Sequence, residues 1–142
     1  MVGSFNVLNG PAGSDGHWSG WMTSGLDVRM VSRVDRLVRV AVSGVLDLVT
    51  SDALFDVLTG ALTDGDTEHL EIDLGGLTLL DASGVGVLLA VRNRALRFGK
   101  TIRVCGAIGL PLQVLEITGV LGLLNAKTPI ARRDESGIPD IR

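Results

Sequence analysis

The chain of 142 residues has one cysteine, Cys105, no tyrosine, and only 4% aromatic residues. A lone cysteine excludes an internal disulfide, and it suits a reducing cytosol. No run approaches the ~18 consecutive apolar residues of a membrane-spanning helix. The N-terminus has neither the basic start nor the apolar stretch of a secretion signal. The sequence therefore predicts a cytoplasmic protein with no membrane partner. An excess of positive charge is also missing. The formal charge is −3 and the pI is about 5.2, which argues against direct nucleic-acid binding. His17 and His69 are far apart, and no Cys/His group has metal-ligand spacing, so no metal is expected. Neither Ser-x-x-Lys nor Gly-x-Ser-x-Gly occurs. A base, a nucleophile and an orienting group converge on no single motif, so the expectation is a non-enzymatic protein without a cofactor.

What is present is apolar and well patterned. Hydrophobic residues make up 46% and charged residues 20%, enough for one domain with one core. Residues 1–25 are rich in Gly, Ser and Asn and are read as a flexible N-terminal arm. Trp18 and Trp21 stand out there, either packed back on the domain or docked on a partner. Residues 27–43 read as two strands with a turn near Asp35. Val38, Val40 and Val42 share one face. The stretch from Ser43 to Asp47 reads as a bend. Thr50 or Ser51 is placed to cap a helix over about 52–63, whose stripe includes Ala53, Leu54, Val57, Leu58, Ala61 and Leu62. A strand follows over His69 to Leu74, and Gly75-Gly76 breaks its alternation. A second helix spans 84–98, with Arg92, Arg94 and Arg97 near the negative end of its dipole and Gly99 closing it. Thr101 to Cys105 is a strand, with Cys105 as a core residue. Pro111 opens a third helix that Gly119 ends. Val120 to Leu124 reads as a short strand or turn, and residues 127–142 as a disordered C-terminal tail. The predicted class is α/β: a single domain over residues 26–126, with a mixed four- to five-stranded sheet, helices packed on one side, and β-β-α-β-α-β-α order.

The richest stretch for function is Asp81-Ala82-Ser83-Gly84, between a buried strand and an apolar helix. Ser83 is either a helix N-cap or a phosphate acceptor. A phosphate there meets free N–H groups and the helix dipole, and adds roughly −1.5 to −2 charges. Inside the chain that charge is tolerable; against an acidic partner it blocks docking. Asp81 makes an Asx-turn or faces a partner, and Asp47 stops a strand, caps a turn or shares that edge. Gly84 and Gly86 suit the close approach of another chain, but Gly84-Val85-Gly86 is not a dinucleotide fingerprint. The candidate partner-binding residues are Asp47, Asp81, Ala82, Ser83, Gly84, Val85, Gly86 and Leu88.

Three stretches resemble the STAS domain of bacterial anti-sigma factor antagonists. They are Gly44-Val45-Leu46-Asp47 with the following LVTS, Leu70 to Gly84 (LEIDLGGLTLLDASG), and Val114 to Gly119 (VLEITG). Together they cover about residues 27–125. The resemblance implies a small mixed sheet flanked by helices. It also implies a protein that binds an anti-sigma factor and frees a sigma factor, regulating transcription by partner switching. In that family the anti-sigma factor is often a serine kinase that phosphorylates the antagonist in this loop. The usual acceptor directly follows the aspartate, in Asp-Ser-Ser-Gly or Asp-Ser-Thr-Gly. Here that position is Ala82, and Ser83 matches the second hydroxyl. Either Ser83 replaces the acceptor or phosphate does not switch the protein. Two other readings stand beside this one: a STAS-type module sensing a nucleotide or lipid, and a scaffold subunit packing on copies of itself. A homodimer is left open.

Overall fold

The computed structural model describes residues 5–6, 20–23 and 25–125. Alternation in the middle of the chain produces strands with one buried face. Val38, Val40 and Val42 point inward from β4 (Leu37–Leu46), Leu70, Ile72 and Leu74 from β5 (His69–Leu80), and Ile102 and Val104 from β6 (Thr101–Cys105). Two further strands, β1 (Phe5–Asn6) and β2 (Gly20–Thr23), join β3 (Leu26–Val34) at the other edge. The sheet order is β1-β2-β3-β4-β5-β6, antiparallel from β1 to β4 and parallel from β4 to β6. The expected mixed sheet is thus present, with two short strands added to the β-β-α-β-α-β-α core. Gly20–Thr23, read from the sequence as part of the arm, pairs with β3. His17, Trp18 and the tail 127–142 lie outside the described residues, as does the side chain of Trp21.

The turn between β3 and β4 spans only Asp35 and Arg36, because Val34 pairs with Leu37. Asp35 takes φ 55°, a left-handed conformation that aspartate tolerates better than most residues. The second strand does not bend away at Ser43. It continues through Gly44 (φ 98°) to Leu46, because a Cβ at position 44 would lie 2.1 Å from the Gly25 carbonyl oxygen. β5 likewise continues through Gly75-Gly76 to Leu80. Register shifts opposite Ala41–Ser43 and Gly44–Val45 absorb the extra residues as bulges.

Helices cover the buried face. The first, α1 (Leu48–Thr63), buries Leu54, Leu58 and Leu62 against the sheet. Each such leucine contributes about 1.5–3 kcal/mol. The second, α2 (Ala82–Arg97), buries Val85, Leu88, Val91 and Ala95. α3 (Gly109–Ile117) is anchored by Pro111 and Leu115. The stretch read as a strand or turn is a short helix, α4 (Val120–Leu124), seated by Val120 and Leu124. Asn125 Oδ1 then accepts the Val104 backbone N–H at 3.0 Å, filling one ladder position on the free edge of β6. Among the described residues, no helix is long and apolar enough to cross a membrane.

Candidate functional site

β4 and β5 run parallel and end level with each other, with Leu46 beside Leu80. The Asp81 N–H donates to the Leu46 carbonyl at 3.2 Å, so α1 and α2 start side by side at this end of the sheet. Both helices begin with an aspartate cap. Asp47 Oδ1 accepts the N–H groups of Val49 (3.0 Å) and Thr50 (3.2 Å), and the Asp47 N–H donates to Thr50 Oγ1 (3.0 Å). This is a closed capping box. Thr50 Oγ1 in turn donates to the Val45 carbonyl at 3.0 Å. Asp81 Oδ1 accepts the Gly84 N–H at 3.1 Å.

These bonds correct two sequence readings. The cap of α1 is Asp47, three residues before Thr50, and the helix starts at Leu48 rather than near 52. The cap of α2 is Asp81, so Ser83 is the second helical residue and its hydroxyl has no capping duty. Serine, threonine and aspartate all cap well, and the end of each parallel strand decides which one is used. Ser83 is half-buried, and its side chain makes no hydrogen bond to a described residue.

The candidate partner residues divide into three groups. Gly84, Val85 and Leu88 belong to the monomer's own core. A Cβ at Gly84 would lie 2.6 Å from Leu80 Cδ1 and 2.7 Å from Leu46 Cγ, so the close approach at this glycine is made within the chain. Val85 and Leu88 face inward because Asp81 starts the helix and turns positions 85, 88, 91 and 95 to the sheet. The expectation that Val85 and Leu88 contact a partner is therefore withdrawn. Asp47 and Asp81 are half-buried and spend their carboxylates on caps. Ala82 and Gly86 are exposed one turn apart, and a Cβ at Gly86 would meet nothing within 4 Å.

The sequence reading missed Leu48 and Val49, which are 75% and 76% exposed at the start of α1. The signal was available. The core stripe of α1 runs through Ser51, Leu54, Leu58 and Leu62, and both apolar residues fall outside it. The register also places Leu79, partly exposed, beside Val45 at the same end of the sheet.

Large apolar side chains are also exposed elsewhere, notably Ile108, Leu110 and Ile117 around α3. Cys105 is half-buried on the sheet face away from the helices. Burial pushes its thiol up, and Glu71 and Asp73 add to the shift. Arg39 spans those carboxylates at 3.4 Å and 3.7 Å. An open cavity of about 430 Å³ is lined by Arg33, Asp35, Arg36 and Asp66. It lies at the opposite end of the sheet, where the Arg36 carbonyl accepts the His69 N–H. No group of metal-ligating side chains occurs among the described residues.

A family model described as "Mlab, STAS domain" matches residues 29–125. The chain therefore belongs to the STAS domain family. Its fold is similar to an anti-sigma factor antagonist from Mycobacterium paratuberculosis, at TM-score 0.60 and 24% identity, over 72% of this chain and 86% of that one. It is similar to the unphosphorylated anti-sigma factor antagonist SpoIIAA at TM-score 0.59 and 15% identity, over 75% and 86%. A sulfate transporter family protein from Wolinella succinogenes has the same fold, at TM-score 0.56 and 14% identity, over 82% of each chain. The fold is thus shared by proteins with different tasks.

Proposed function

We propose that this protein is a non-enzymatic antagonist of an anti-sigma factor, docking through the paired starts of α1 and α2. One observation carries the reading: Leu48 and Val49 are largely exposed at the start of α1, alongside the α2 start with its exposed Ala82 and Gly86, at the loop that resembles the switch loop of such antagonists. Large apolar side chains grouped at one end of a small domain mark a contact surface. The similar folds of anti-sigma factor antagonists support the same choice. The glycine at 84, which the ligand-sensing alternative invoked, is packed beneath Leu46 and Leu80.

Ser83 is the acceptor if phosphate switches this protein. Its hydroxyl is not tied up as a cap, and the first turn of α2 supplies the free N–H groups and dipole that hold a phosphate. Incubation with ATP and a kinase-type anti-sigma factor, followed by peptide mapping, is expected to place the modification on Ser83. Modification elsewhere, or none, contradicts this assignment.

The docking reading is tested by calorimetry with purified anti-sigma factors from the source genome. One of them is expected to bind, and Ala82→Trp, which adds bulk at the exposed start of α2, is expected to weaken binding by about tenfold or more. Failure of every anti-sigma factor to bind, or indifference to Ala82→Trp, contradicts it.

A further inference from the structure

No lysine or arginine occurs between Arg39 and Arg92, a stretch that contains both helix starts. Leu48 and Val49 are followed along α1 by Asp52 and Asp56, both exposed. Helical spacing puts Leu48 one turn from Asp52, and Asp52 one turn from Asp56, on a single flank. Neither aspartate has an ion-pair partner among the described residues. Along α2 the cations begin at Arg92. Arg94 is engaged over the ring of Phe55, the neighbour of Asp56, at 5.6 Å, and makes no ion pair with either aspartate.

We propose that the partner of this surface presents a basic face with an apolar centre. An apolar side chain seats on Leu48 and Val49, and flanking arginine or lysine side chains meet Asp52 and Asp56. The proposal rests on the docking reading above and adds the chemistry of the occupant. A second copy of this chain centred on Leu48 and Val49 is disfavoured, because near the two-fold axis Asp52 and Asp56 would gather with the like charges of the other copy. An acidic partner fails for the same reason. A basic one gains from carboxylates that form no ion pair among the described residues, and such complementarity raises association rate and selectivity. The sign bears on Ser83 as well. Against a basic partner, negative charge at Ser83 does not by itself repel, so a phosphate there would have to block docking by its bulk.

The test uses the full chain labelled with 15N and two synthetic amphipathic helical peptides. Both carry the same leucine-centred apolar face; one is flanked by arginines and the other by glutamates. The arginine peptide is expected to shift the amide signals of Leu48, Val49, Asp52, Asp56 and Ala82. Its affinity is expected to fall about tenfold or more in the Asp52→Lys/Asp56→Lys variant. Both sites are exposed, and circular dichroism checks that the variant folds. The glutamate peptide is expected to leave these signals in place. Equal shifts from both peptides at these residues overturn the basic-partner proposal and leave the docking surface standing. Shifts elsewhere, or none from either peptide, overturn both.

Discussion

Gly84 and Gly86 are two residues apart on one helix but opposite in environment. A methyl group at 84 enters space held by Leu80 and by Leu46, which is fully buried. A methyl group at 86 enters open space. Glycine costs a helix interior about 1 kcal/mol against alanine. Gly86→Ala is therefore expected to stabilise the fold by about 0.5–1 kcal/mol. Gly84→Ala is expected to destabilise it by about 1–3 kcal/mol, since overpacking outweighs the gain in propensity. Urea denaturation of the two variants reads both signs, and a stabilised Gly84→Ala would contradict the packing described. The sequence shows two glycines in an apolar helix start. Only the sheet beneath the helix distinguishes them. The same holds for Asp81 and Ser83, since either residue type caps a helix.

At the scale of elements, the alternation in β4, β5 and β6 and the stripe of α1 are legible because each buries one face of a periodic structure. Less legible are features set by a neighbour. β5 runs through Gly75-Gly76 because β4 lies beside it, and α4 is helical where it packs against α2, α3 and β6. The end of α1 is another such case. The helix has no basic residue in its last turn. Lys100, from the turn before β6, donates instead to the carbonyls of Leu62 and Asp64. Lys100→Met is expected to cost about 1 kcal/mol, because a cation at the negative end of a helix and two hydrogen bonds are lost together. Asp64 caps this junction. The Asp66 N–H, above all, and Arg33 at 3.0 Å hold its carboxyl below the usual carboxylate range. A lowered carboxyl contributes stability that is complete above its unfolded value, near 3.9. That contribution is lost as pH falls through the lower folded value. Asp64→Asn is expected to flatten the acid limb of a stability-against-pH curve, and an unchanged limb would contradict the assigned contacts.

At the scale of the molecule, the sheet face away from the helices and the helix-start end differ in how their charges are matched. The sheet face away from the helices carries Arg39 between Glu71 and Asp73, satisfied within the chain. The helix-start end carries exposed leucine and valine with unmatched aspartates. A net charge of −3 conceals this arrangement, since the cations lie before residue 40 and after residue 91. The loop Asp81 to Gly84 lies at the same end of the molecule as the proposed docking surface, because the resemblance lies in the strand and loop that build that end. It did not identify the contact side chains, since exposure depends on how α1 and α2 rotate onto the sheet.

Amide hydrogen exchange, with and without a bound anti-sigma factor, tests the docking surface most directly. The amides of Leu48, Ala82 and Ser83 sit in first helical turns without an intrahelical acceptor, so they exchange quickly unless something covers them. Slowed exchange at these three positions in the complex is the expected result. Protection confined to the strand face around Arg39, Glu71 and Cys105, with the helix starts unchanged, would contradict it.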